Sequence, residues 1–181
     1  MMRSKYFICL SVMALAIAVG AQPQPLAVAV YPFTAIGVDA TQAMVISSAV
    51  YRELSKSRKI IVRDQESTRR ALEEIGLQQS GHCDDTCGAE IGKMVKAQKL
   101  VMGSVEKLDV NFYTVGMRVV DVSTARSEYQ SAQDCPCSSL VQVRDMAVEL
   151  AKTTILVYLE TGKRPEPPAP IHIGDSPTTA P

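Results

Sequence analysis

Histidine is nearly missing from this chain: two in 181 residues, His82 and His172. A triad would have to be built on His82, the one histidine of the expected domain, and no partner motif stands out for it, so that chemistry is not favoured. No serine sits in a Gly-x-Ser-x-Gly elbow. Neither Gly88 to Gly92 nor Gly103-Ser104 is followed by the Gly-Lys-Ser/Thr of a phosphate loop. The C-x-x-C spacing of thiol oxidoreductases is absent as well. Charge of one sign is lacking, since 19 Lys and Arg balance 19 Asp and Glu. That balance gives nucleic acid or an anionic bilayer no electrostatic hold. Beyond residue 21 no apolar run approaches the roughly 20 residues that cross a membrane, so stable insertion is not expected.

What is present begins with a leader. Arg3 and Lys5 precede an uncharged, mostly apolar run from Tyr6 to Gly20, and Val19-Gly20-Ala21 offers small residues for cleavage. Residues 1–21 are therefore expected to be a signal peptide, with Gln22 opening a mature chain of 17 basic and 19 acidic residues. Ala18-Val19-Gly20 resembles the approach to a lipidated cysteine, but Ala21 stands where the thiol would be. Cys9 lies too early in the run to serve. The expectation is an exported, untethered periplasmic protein. Residues 22–160 have the length of one domain. Residues 161–181, with Pro165, Pro167, Pro168, Pro170, Pro177 and Pro181 among small and polar neighbours, read as a disordered tail.

Hydrophobic period sets the fold class. Leu26 to Tyr31 and Ile60 to Val62 are short continuous apolar runs, the pattern of strands buried on both faces. Ala43, Ile46, Val50 and Leu54 recur at helical spacing behind a cap at Asp39 or Thr41. Ser67 to Ile75 predicts a helix ended by Gly76, and Cys87 to Ala97 another, followed by a strand from Lys99 to Lys107. From Phe112 to Val122 the period becomes two, with Tyr113, Val115, Met117 and Val119 on one face. Asp109-Val110-Asn111 supplies the preceding turn. Ser127 to Gln133 reads as a polar edge strand. Leu140, Val143, Ala147, Leu150, Thr154 and Val157 form the stripe of a last helix. The class is α/β: a mixed sheet in the order β-α-β-α-α-β-β-β-α, parallel crossovers first and an antiparallel meander last, helices covering the sheet.

Cys83, Cys87, Cys135 and Cys137 remain after the leader, an even count that predicts two disulfides in an oxidising compartment. Both cysteine segments fall at the same end of the sheet. The rigid Pro136 makes a Cys135–Cys137 bridge hard to close, so pairing between segments is favoured, with a local Cys83–Cys87 loop as the alternative. A zinc site on His82 and the four thiols is the competing reading, weakened by C-x-C and C-x-x-x-C spacings that are not the common knuckle. A reactive Cys87 at a helix start stays open. Asp84-Asp85 reads as solvated or capping. Glu90 and Lys93 read as a surface pair.

Leu26 to Val30, Ile60 to Arg63, Leu77 to Gly81, Cys83 to Lys93, Val101 to Lys107 and Arg118 to Val122 together resemble the curli-secretion (CsgG-like) domain family. The resemblance implies a non-catalytic envelope module, of the kind found in secretion channels, in lipoprotein activators of cell-wall synthases and in periplasmic assembly proteins. It transfers no catalytic residue, cofactor or metal. Ala21 in place of an anchoring cysteine, and no pair of ten-residue alternating segments, set this chain apart from a pore former. The expected function is non-enzymatic, through protein–protein contacts with an envelope partner. The edge strand, with Ser127, Tyr129 and Gln133, is one docking surface, and the residues leave homo-oligomerisation open. The alternatives are a thiol-redox or zinc protein and a subunit of an oligomeric channel.

Overall fold

The computed structural model describes residues 24–75 and 83–166. The leader, Gly76, His82, His172 and the tail beyond Glu166 lie outside the described residues. The architecture is mixed α/β, as expected, with one six-stranded sheet covered by helices on both faces. Strand order is β3-β1-β4-β5-β6, and the short β2 pairs with β4 beside that path.

The apolar run of β1 (Leu26–Val30) fits its place between two parallel neighbours, β3 (Ile60–Val62) and β4 (Lys99–Asp109). A buried strand needs apolar residues on both faces, and Val28 and Ala29 are both fully buried. β3 corrects the expectation of a second buried strand. It is the outermost strand of the sheet, with β1 its one neighbour, and Ile61 is 48% exposed. The structure also adds β2 (Thr34–Ile36), absent from the expected order. It continues the parallel pairing along β4 beyond the point where β1 ends, matching Ala35 to Val105.

Helix α1 (Ala40–Leu54) is capped by Asp39, whose carboxylate accepts the Thr41 N–H at 2.7 Å while the Gln42 side chain accepts the Asp39 N–H at 3.4 Å. Its Ala43, Ile46, Val50 and Leu54 are buried against the first face of the sheet. Helix α2 (Gln65–Ile75) and helix α3 (Asp85–Met94) cover the second face. After them β4, β5 (Phe112–Asp121) and β6 (Arg126–Cys135) form the antiparallel meander.

Helix α4 (Leu140–Leu150) runs through a π-helical turn, Ala151–Ile155, into α5 (Leu156–Thr161). The turn inserts an extra residue into the helical repeat and rotates the residues after it about the helix axis. Ile155 and Leu159 are consequently buried, whereas Val157, expected on the stripe, is 38% exposed. The sheet separates two apolar clusters. One joins Val28, Val101, Val115, Val119, Cys135 and Cys137 to α1 and α4; the other joins Ala29, Cys83, Leu100, Met102 and Val120 to α2 and α3. Each fully buried Val or Leu contributes about 1.5–3 kcal/mol, so these layers supply most of the driving force.

Candidate functional site: the start of α3 and the open face of the meander

The segment Cys83-Asp84-Asp85-Thr86-Cys87 is built as a helix start with a covalent brace. Asp84 is the N-cap, accepting the Cys87 N–H at 2.9 Å. Cys83 and Cys87 flank it and are joined by a disulfide, with Cα atoms 5.4 Å apart. Cys135 and Cys137 form the second disulfide, with Cα atoms 5.1 Å apart. These local pairs correct the favoured cross-segment pairing. The two segments lie apart along the meander as well as across it. The start of α3 reaches Arg118 and Ser127, whereas Cys135 pairs with Tyr113 at the other end of β6. Cys83 packs in the cluster on the second face, while Cys135 and Cys137 pack in the cluster on the first. The sheet lies between them.

With all four sulfurs paired, none is available to zinc or to act as a thiolate. Cys135 and Cys137 are 8% and 3% exposed, out of reach of a macromolecular substrate. Among the described residues no three His, Cys, Asp or Glu side chains converge as a metal site. No described helix is long and apolar enough to cross a membrane.

Asp85 does more than the sequence indicated. Its Oδ1 accepts from Arg118 Nε at 2.9 Å, and its Oδ2 accepts the Ser127 N–H at 2.9 Å. One carboxylate thus ties α3 to β5 and to the start of β6. Arg118 Nη2 also donates to the Cys83 carbonyl at 3.4 Å. Gly88 and Gly92 let the helix lie close: a Cβ on Gly88 would meet Met102 Sδ at 2.8 Å, and one on Gly92 would strike Val122. Sequence reasoning missed this clamp. Its one visible signal is Arg118 on the polar phase of an alternating strand.

Beyond the start of α3 the second face of the meander is left open by the described residues. Register places three rows across it: Met102–Arg118–Gln130, then Ser104–Gly116–Ala132, then Glu106–Thr114–Asp134. A shallow cavity of about 400 Å³ lies over the first two rows. A smaller one of about 200 Å³ adjoins it, lined by Tyr31, Ile36, Cys83 and Glu106.

The edge residues fare differently from one another. Ser127 is exposed, Gln133 is half-buried, and Tyr129 is buried, stacked on Tyr158 with ring centroids 5.0 Å apart. The chain itself comes back over this end of β6. Gly162, at φ 66°, turns the backbone out of α5 in a left-handed conformation that glycine adopts without strain. Arg164 Nη2 then donates to the Glu128 carbonyl at 3.0 Å, and Tyr129 Oη to the Pro165 carbonyl at 3.5 Å. Below, Lys99 Nζ bonds Asp121 at 2.7 Å and also Glu128, which accepts from Tyr158 Oη at 3.0 Å.

The model of the family described as peptidoglycan-synthase activator LpoB matches residues 17–134. The match ends before Cys135-Pro136-Cys137 and the last helix. It overturns the resemblance to the curli-secretion family. Of the stretches that suggested that family, Leu77 to Gly81 lies outside the described residues, and the others are strands and the glycine-bearing α3, which build the sheet and its cover. No curated protein sequence matches the chain. Among solved structures, the LpoB C-terminal domain from Salmonella enterica is 19% identical, covering 69% of this chain and 90% of that one, with a TM-score of 0.48. The Escherichia coli domain is 17% identical over 68% of this chain and 90% of its own, with a TM-score of 0.49. Lipoprotein GNA1162 from Neisseria meningitidis is 11% identical over 61% of this chain and 79% of its own, with a TM-score of 0.50, a likeness of fold alone.

Proposed function

This chain belongs to the family of the peptidoglycan-synthase activator LpoB, and from that membership we propose that it is an exported, non-enzymatic protein of the cell envelope that stimulates a peptidoglycan synthase by direct contact. The family match over residues 17–134 is the observation that carries the reading. Two disulfides support an oxidising compartment, which agrees with export of a chain whose residues 1–21 are a cleaved leader. Residues 22–160 act as the contact domain, and residues 161–181 as an extension of it. A binding module needs a rigid surface more than a reactive group, and the braced α3 start gives the meander one.

The test is a glycan-polymerisation assay with a purified synthase from the same organism. Added chain should raise the polymerisation rate several-fold and cross-link to the synthase. An unchanged rate with no cross-link, across every synthase of that organism, would sink the reading.

A further inference from the structure

Resting on that reading, we propose that the partner is held on the open second face of the meander, by a lysine or arginine side chain that lies across Gly116 and Ala132 and ends between Glu106 and Asp134.

Two observations choose this face over the β6 edge. The edge is the natural place for strand addition, but its start is covered by the chain's own return. Arg164 occupies the Glu128 carbonyl and Pro165 lies over Tyr129, while the Ser127 N–H is taken by Asp85. An incoming strand would find those groups already engaged. Among the described residues the face has no such cover. Gln130, Ala132 and Asp134 are exposed on it.

The rows then define the occupant. Ser104, Gly116 and Ala132 make a floor of small side chains, and a Cβ added at Gly116 would meet nothing closer than Ser104 Oγ at 3.3 Å. A long aliphatic stem fits such a floor. On one side stands Arg118, already matched to Asp85. On the other stand Glu106 and Asp134, each bonded to a hydroxyl, Ser104 Oγ at 3.2 Å and Thr114 Oγ1 at 2.6 Å. Neither carboxylate has a cationic partner among the described residues. The unmatched charge is negative, so the head that completes the groove is positive. An acidic segment would meet two carboxylates and a guanidinium with no attraction to spare.

The experiment titrates the isotope-labelled full chain, as exported, with a short peptide of alternating Lys and Thr at low salt, with an alternating Glu and Thr peptide as control. The lysine peptide should shift the amides of Ser104, Gly116 and Ala132. Combining Glu106→Lys with Asp134→Lys should weaken that binding about tenfold or more, since like charges now face each other. Arg164→Ala, which frees the edge, should leave it unchanged. Shifts confined to Ser127–Gln130, an equal response to the glutamate peptide, or indifference to the double reversal would each overturn the proposal. The polymerisation assay separates the two levels. Full stimulation by the double-reversed chain would reject this groove and keep the function. No stimulation by the unaltered chain would reject the function, whatever the peptide does.

Discussion

Arg118 donates through Nε to Oδ1 of Asp85 at 2.9 Å, and this pair joins the middle of the meander to the first residue of α3. Both side chains are about one-third exposed, so solvent weakens the pair without abolishing it. Asp85→Ala removes that bond and the acceptor of the Ser127 N–H together. It should destabilise the fold by about 1–2 kcal/mol, below the roughly 1.5–3 kcal/mol of a buried hydrogen bond to a charged group because solvent screens this one. Urea denaturation checks this, and a double-mutant cycle with Arg118→Gln should return a coupling of the same sign.

Gly92 faces Val122 across the helix–sheet contact with no room for another carbon. Gly92→Ala raises helix propensity yet should lose about 1–3 kcal/mol through overpacking. The added change Val122→Ala should restore much of the loss. If Gly92→Ala proved stabilising in thermal melts, the close approach of α3 would be refuted.

Local pairing of the cysteines is open to direct mapping. Trypsin cleaves after Arg70, Lys93, Arg126 and Arg144, which puts each bridge inside its own peptide. Non-reducing mass spectrometry should find residues 71–93 and 127–144 as separate species, each two hydrogens lighter than its reduced form. A single joined peptide would restore the cross-segment arrangement. Replacing Cys83 and Cys87 with Ala should cost about 2 kcal/mol, as loop-closure entropy gives for so short a ring.

Acid should act through Asp121. The hydrogen bond from Lys99, then that from Ser123, hold its carboxyl well below the usual carboxylate range. A depressed pKa stabilises the fold above the unfolded value of about 3.9, and the contribution is lost as pH falls toward the folded one. For Lys99, burial opposes the charge, but the bonds to Asp121 and Glu128 outweigh it and raise the pKa. That contribution is full at neutral pH and lost as pH rises through the raised value. Asp121→Asn should therefore flatten the acid limb of a stability–pH curve. An unchanged limb would assign the acid sensitivity elsewhere.

Ser131 keeps its hydroxyl buried with no hydrogen-bond partner. Unsatisfied burial costs about 1–3 kcal/mol, so Ser131→Ala should stabilise the chain, read as a higher urea midpoint at the same slope. A lower midpoint would mean that the hydroxyl is satisfied after all.

Much of this fold is legible in the sequence because hydrophobic period reports burial. The parallel-then-meander order and the inward face of β5 come from it, and capping chemistry narrows the start of α1 to Asp39 or Thr41, of which the structure uses Asp39. The exposure of Ile61 is not legible, because an apolar triplet looks the same whether a strand is central or outermost. The π turn at Ala151–Ile155 carries no residue signature, so helical spacing alone puts Val157 on the wrong side. At the candidate site, thiol spacing and topology give neither the place along the meander nor the face, and both decide which sulfurs can meet. The Asp85 clamp escapes sequence reasoning because a loop carboxylate finds a strand arginine 33 residues away only after both elements have packed.

The short span of each bridge also bears on how the chain matures. Neither has to wait for distant parts of the polypeptide to meet. Each can close on the emerging chain, because its sulfurs lie two or four residues apart and no long loop has to be brought together first. An exported chain of this design can be oxidised in order of emergence, with little demand on an isomerase to undo wrong partners.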